Sequence, residues 1–185
     1  MKTLAYLMAF AALATVPETA GAQPSSGSKA LVVYFTHSGN TRTVARQIAR
    51  AAGADLLEIV PETPYPAEYR ACVEQAKKEI AAGVRPAIST PIPDLSAYDT
   101  LYVGSPCWWA AIAPPVATFL EACDLSGKTL APFMTHEGSR MGRTVDDLRK
   151  LCPAATVTEG LAVRGSAAGQ AAPAIDAWLN NIGRR

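Results

Sequence analysis

The chain has 185 residues, of which 49 % are hydrophobic and 18 % charged, and its formal net charge is +1. That length suits one domain with a single core. A balanced charge without a basic run or stripe excludes nucleic acid or an anionic membrane surface as the principal partner.

The first residues read as an address. Lys2 precedes an apolar run over residues 4–16, followed by Pro17, Glu18 and the small-residue sequence Ala20-Gly21-Ala22. A charged start, a short apolar stretch and an A-x-A site describe a secretory signal peptide, here residues 1–22. The apolar run is shorter than the about 20 residues of a membrane span, so the mature chain is expected to be exported, in the periplasm, without stable membrane insertion. Residues 23–28 (Gln-Pro-Ser-Ser-Gly-Ser) form a flexible linker, and residues 29–185 are the domain. Cys72, Cys107, Cys123 and Cys152 match no zinc spacing and contain no C-x-x-C pair, so no metal is expected. An oxidising compartment permits disulfides: Cys123 and Cys152 would join neighbouring helices, and Cys72 and Cys107 could both lie at the opposite end of the sheet. Unpaired core cysteines are the preferred reading.

Strand and helix signals then alternate. Leu31–Phe35 is continuously apolar, as a central parallel strand covered on both faces would be. From Asn40 onward Val44, Ala45, Ile48, Ala49 and Ala52 recur at helical spacing up to Gly53. Asp55–Val60 is the second strand, ended by Pro61, and Pro64-Tyr65-Pro66 a rigid turn. Ala67–Ala82 is the second helix, and Arg85–Ser96 a proline-studded connection. Thr100–Gly104 is the third strand, and Pro114–Cys123 a helix with proline in its first turn. Lys128–Met134, the helix Arg143–Leu151, the strand Thr156–Val163 and the helix Ala171–Ile182 complete the chain. The pattern predicts an α/β fold: a doubly wound parallel sheet of five strands with helices on both faces.

Three loops follow carboxyl ends of strands, where ligands of such sheets bind. In Thr36–Thr41, Gly39 is placed to take a positive φ, and the helix start gathers unpaired N–H groups and the positive end of the macrodipole. With the hydroxyls of Thr36, Ser38, Thr41 and Thr43 around it, the loop reads as a phosphate site. Arg42 is expected to be solvated; His37 is an exposed turn residue or a direct ligand contact. The glycines of a Rossmann turn and the lysine of a Walker loop are both missing. A capped turn without ligand is the other reading. In the second loop Trp108 and Trp109 stand together. One is expected to flank a planar ring and the other to pack beneath the helix opening at Pro114. Cys107 is read as packing rather than as a redox thiol. No Ser-His-Asp or paired-carboxylate arrangement can be argued from the spacings, which sets hydrolase readings aside.

T-x-S-G-N-T after the first strand, Ser105-Pro106-Cys107-Trp108-Trp109 after the third and Thr135-His136-Glu137-Gly138-Ser139 after the fourth resemble the three flavin loops of the flavodoxin-like family. They resemble in particular the subgroup of small bacterial members with a P-x-W-W loop, which Tyr65-Pro66, Tyr69 and Asp124–Thr129 also fit. The resemblance covers residues 29 to about 182. It implies strand order 2-1-3-4-5 and FMN as cofactor. The implied contacts are Thr36, His37, Ser38, Gly39, Asn40 and Thr41 at the phosphate, Pro106, Cys107, Trp108 and Trp109 at the ring, and Thr135, His136, Gly138 and Ser139 at the flavin N1/O2 edge. Many one-electron flavodoxins keep a flipping glycine beside flavin N5. Here Pro106–Trp109 makes a positive-φ flip costly, which points to two-electron chemistry. The near-neutral charge departs from the acidic rim of low-potential flavodoxins. The implied function is electron transfer or reduction centred on the flavin, with a redox donor and acceptor that the sequence does not name. Within it an NAD(P)H-dependent quinone or nitro reductase competes with a pure electron shuttle, and the alternative outside it is an exported flavodoxin-like binding module without flavin.

Overall fold

A computed structural model describes residues 29–184; the expected signal peptide and linker lie outside the described residues. The sheet is parallel and ordered β2-β1-β3-β4-β5, as the resemblance implied. Its first strands are β1 (Lys29–Tyr34), β2 (Asp55–Glu58), β3 (Tyr98–Pro106) and β4 (Thr129–His136). Val33 is level with Leu57 on one side and Val103 on the other, and Val103 with Pro132.

Alternation along each strand divides the core into two layers. Val32, Tyr34, Tyr102, Ala131 and Phe133 face α1 (Asn40–Ala52) and α5 (Ala172–Asn181), burying Val44, Ile48, Ile175 and Leu179. Leu31, Val33, Phe35, Leu101, Val103 and Met134 face the other way. They pack with Cys72 of α2 (Tyr69–Ala82), Val116 and Phe119 of α3 (Pro114–Glu121) and Leu148 of α4 (Thr144–Leu151). Each fully buried Val, Leu, Ile or Phe stabilises the fold by about 1.5–3 kcal/mol before entropy is counted. Strands buried on both faces leave only the sheet's ends free for chemistry.

The predicted fifth strand, Thr156–Val163, is broken into β5 (Thr156–Val157) and β6 (Leu161–Arg164), both paired with β4. The register explains the break. Thr129 is level with Thr156 but Phe133 with Leu161, so the outer chain holds one extra residue between the two segments. The carbonyls of Lys128 and Leu130 accept from Thr156 and Thr158 on this edge. By alternation the nitrogen of Pro132 faces it too, with no hydrogen to donate.

Other differences lie at element ends. The second helix starts at Tyr69 rather than Ala67, because the Glu68 carboxylate caps it by accepting from the amides of Arg70 and Ala71. The second strand leaves β1 after Glu58. The chain then pairs with the proline-studded connection: Glu62 N–H donates to Ala87 O at 2.9 Å and Ser89 N–H to Val60 O at 2.8 Å. A 3₁₀ helix, Gly165–Gln170, precedes α5.

Candidate functional site

Gly39 is the N-cap of α1, at φ 91° and ψ −13°, and its N–H donates to Thr36 Oγ1 at 3.1 Å. No side chain caps this helix, and no acidic residue lies in its first turn. The first intrahelical bond is Thr43 N–H to Gly39 O, at 3.0 Å. The amides of Asn40, Thr41 and Arg42 precede that bond and end the helix as donors. The hydroxyls, however, are mostly committed to protein. Thr43 donates to Gly39 O at 3.1 Å, and Thr41 Oγ1 lies 2.8 Å from Thr135 Oγ1 with both residues buried. Ser38 stands exposed at the tip.

Arg42 is partly exposed, as the sequence suggested, but it is also paired. Its guanidinium grips Glu58 through two bonds of 2.5 and 2.9 Å, and Tyr34 donates to the same carboxylate at 2.6 Å. The Arg42 hydrogen bond holds the Glu58 carboxyl below its usual range, against a desolvation that acts the other way. Burial, with help from Glu58, pushes the Tyr34 phenol up to about 12. The guanidinium is therefore directed at β2, and anion binding at the loop falls to backbone dipoles.

The second loop is stitched at both ends. Ser105 Oγ donates to Pro106 O and accepts from Ala113 N–H, each at 2.8 Å, and Cys107 N–H donates to Thr135 O at 2.8 Å. Trp108 and Ala111 exchange N–H···O bonds of 3.0 and 2.9 Å around a two-residue turn. Its residues, Trp109 and Ala110, both have positive φ, 50° and 61°. The sequence argument that bulky residues keep this loop out of positive φ is thus corrected: two non-glycine residues adopt it, at roughly 1–2 kcal/mol each. Arg143 N–H donates to Ala110 O at 2.8 Å and holds the turn in place.

The two indoles part company. Trp108 is half-buried among aromatic rings, with centroids 4.8 Å from Tyr65, 5.5 Å from Phe35 and 6.0 Å from His37. His37 is exposed and its Nε2–H donates to Pro66 O at 2.9 Å. Trp109 is 46 % exposed; its Nε1–H donates to Val73 O at 3.1 Å, and Lys77 Nζ lies 4.9 Å from its ring centroid. These partners lie on β1's exit, the Pro64–Pro66 turn and α2, not on the helix opening at Pro114.

In the third loop burial, then Arg164 and Arg140, push the His136 imidazole below its ordinary value. It is therefore neutral at neutral pH, and its buried Nδ1 has no hydrogen-bond partner. Arg164 donates to Glu137 O at 3.0 Å. The Glu137 carboxylate and the Asn40 carboxamide converge on Gly165: a Cβ there would lie 2.3 Å from Glu137 Oε1 and 2.6 Å from Asn40 Nδ2. Burial pushes the Cys107 thiol up, against hydrogen bonds from Ser139 and the Ala110 amide. It stays protonated, in keeping with packing.

The three loops open on one cleft of about 510 Å³. His37, Ser38 and Asn40 line it from the first loop, Pro106, Cys107, Trp108 and Trp109 from the second, and Thr135, His136 and Ser139 from the third. Thr36, Gly39, Thr41 and Gly138 do not line it: Thr36 faces an adjoining hollow, while Gly39 and Thr41 shape the turn behind. Glu137 of the third loop lines the cleft as well, and Cys72 lies at this end with Cys107, as the sequence allowed; sequence reasoning missed that Tyr69, Cys72, Val73 and Ala76 of α2 together form a whole wall. Their spacing marks one helical face, but periodicity does not say what that face meets. Free amides beside an aromatic-walled cleft whose lining includes a single carboxylate, Glu137, fit a phosphate ester carrying a planar heterocycle. Among the described residues no group of three His, Cys, Asp or Glu could hold a metal, and no helix is long and apolar enough to cross a membrane.

Residues 29–182 match the family described as Flavodoxin. A curated protein of Azorhizobium caulinodans, described as NAD(P)H dehydrogenase (quinone), is 36 % identical over 117 residues, 57 % of this chain and 55 % of its own length. The chain thus spans about half of that relative. Among solved structures, a Bacteroides eggerthii protein described as a flavoprotein is 31 % identical, covering 86 % of this chain and 100 % of its own, with a TM-score of 0.74. A Lactobacillus acidophilus flavoprotein in complex with FMN is 25 % identical over 82 % of this chain and 99 % of its own, with a TM-score of 0.65.

Proposed function

The chain belongs to the flavodoxin family, and on that premise we propose that it is an FMN-binding flavoprotein that reduces a small acceptor in two-electron steps. The observation that carries the reading is the uncapped start of α1, with Gly39 in the left-handed region, opening on the same cleft as Trp108 and the Thr135–Ser139 loop. FMN, when bound, supplies the redox chemistry. The amides of Asn40, Thr41 and Arg42 hold its phosphate. Trp108, backed by Phe35 and Tyr65, offers a fixed apolar surface to the ring and keeps water from it. His136, whose imidazole burial holds below its ordinary value, lines the cleft on the side of the third loop. Cys107 stays a thiol and packs.

Two-electron reduction is favoured over shuttling because the second loop is not free to reorient. Cys107 N–H, both polar groups of Trp108 and the Ala110 carbonyl all have backbone partners, and the Ala110 amide meets the Cys107 sulfur. A peptide that cannot turn cannot respond to a change in flavin protonation. The Azorhizobium relative, described as NAD(P)H dehydrogenase (quinone), supports the same direction over the half it shares.

FMN titration of the apoprotein followed by anaerobic reductive titration tests the reading. We expect stoichiometric binding, reduction without a stable one-electron stage, and NAD(P)H oxidation that continues when a quinone is added. A protein that stays colourless with FMN overturns the assignment; fast exchange only with a protein partner moves it to a shuttle. We place the working protein in the periplasm because residues 1–22 have the form of a secretory signal, and fractionation with N-terminal sequencing checks that.

A further inference from the structure

We propose that the outer part of the cleft, between Tyr69 and Trp109, docks a planar aromatic acceptor bearing a negative charge, with Lys77 as its counter-charge. The inference rests on the flavin reading above but concerns a different wall. Trp108 belongs to the inner part of the cleft, where Phe35, Tyr65 and His37 surround it. The outer wall is α2, where Tyr69, Cys72, Val73 and Ala76 recur at helical spacing and present no charge.

Two large aromatic side chains remain exposed there, Tyr69 at 75 % and Trp109 at 46 %. Both line the same cleft. Exposed aromatic side chains lining a cleft offer flat apolar area to a ring that enters it. Trp109 is also fixed: its backbone is held at φ 50°, and its indole N–H is bound to Val73 O. A strained backbone that holds an exposed indole contributes little to the core, and such strain collects at ligand sites. The arrangement makes a rigid aromatic shelf beside a freer phenol.

Charge selects the occupant. Lys77 lies one turn after Val73, 4.9 Å from the Trp109 ring centroid, and makes no ion pair among the described residues. The one carboxylate lining the cleft, Glu137, belongs to the β4 loop, not to α2. A neutral apolar wall with an ammonium beside it, held over the Trp109 ring and without an ion pair among the described residues, suits a flat ring with one anionic substituent, such as a quinone carrying a sulfonate or carboxylate.

Equilibrium dialysis of anthraquinone-2-sulfonate against the oxidised, FMN-loaded protein tests this without any electron donor. We expect saturable binding that Tyr69→Ala and Lys77→Gln each weaken by about tenfold. FMN affinity, read by flavin fluorescence, stays within about twofold of the parent in Lys77→Gln, whose side chain does not line the cleft. Uncharged 1,4-naphthoquinone should lose affinity in Tyr69→Ala but not in Lys77→Gln. Absent sulfonate binding, unchanged binding in both variants, or an equal loss of both quinones in Lys77→Gln overturns the proposal. So does a fall in FMN affinity in Tyr69→Ala, which would assign that ring to the flavin. A parent protein that takes up no FMN sinks the flavoprotein reading itself, a failure visible before any quinone is added.

Discussion

The Cα of Gly142 presses against the backbone of Ala110 so closely that a Cβ on Gly142 would lie 2.3 Å from the Ala110 carbonyl oxygen and 2.7 Å from its Cα. The neighbouring amide, Arg143 N–H, donates to that same carbonyl. The entry to α4 therefore acts as a clamp on the left-handed pair Trp109–Ala110. What keeps the indole at the mouth of the cleft is a glycine more than thirty positions away in the chain.

Gly142→Ala should release that clamp. The new methyl group meets backbone, which cannot rotate aside, at about 1–3 kcal/mol, and alanine at φ 51° adds about 1–2 kcal/mol. Urea denaturation should show the summed loss, and FMN affinity should fall with it as the tryptophan loop relaxes. A variant as stable as the parent would mean that the turn holds itself.

Gly39→Val is the opposite case. A Cβ at Gly39 would have nothing within 4 Å, but φ is 91°, which a β-branched residue adopts only under strain. The cost falls on the turn rather than on packing. We expect a folded apoprotein whose FMN affinity is lower by at least about tenfold, the equivalent of 1.4 kcal/mol. Unchanged affinity would remove this loop from the site.

Gly165→Ala displaces two flexible side-chain ends, Glu137 Oε1 and Asn40 Nδ2, so stability should change by no more than about 0.5 kcal/mol. Asn40 opens α1, however, and moving its carboxamide should alter FMN affinity measurably. Parallel thermal melts and flavin titrations separate the two effects. An FMN affinity equal to the parent's would show that the Asn40 side chain has no part in binding.

The Arg42–Glu58–Tyr34 group sets two limbs of the stability–pH profile. Glu58 has a depressed folded value, so its contribution is complete above the ordinary 4.5 and is lost as pH falls through the folded value. Arg42 is 41 % exposed, which limits the pair to under about 1 kcal/mol. Tyr34 is raised from 10.0 to about 12. Its contribution is complete below 10 and is lost as pH rises through about 12. Urea midpoints against pH should show a shallower acid limb in Glu58→Gln and a shallower alkaline limb in Tyr34→Phe.

Much of the architecture was legible because the central strands are apolar runs, Leu31–Phe35, Leu101–Val103 and Leu130–Met134, and the loops that follow carry unusual residues such as Gly39 and the Trp108–Trp109 pair. The fifth strand misled because the cause of its break lies elsewhere: Thr156–Val163 looks continuous, and the donor missing at Pro132 belongs to β4. The tight turn at Trp109–Ala110 was hidden for a similar reason. Neither residue is a turn former, and the clamp that stabilises it sits at Gly142–Arg143. The Arg42 ion pair was hidden because its partner, Glu58, stands on the neighbouring strand. The wall made by α2 was visible as a periodic face without an address.

The hydroxyl-to-hydroxyl contact of Thr41 with Thr135, 2.8 Å long and spanning 94 positions, ties ligand capture to completion of the sheet. A growing polypeptide that has released its first helix but not its fourth strand owns only half a grip. Flavin uptake should therefore arrive late and all at once during refolding, and fluorescence quenching of added FMN would serve as a clock for the last step of assembly.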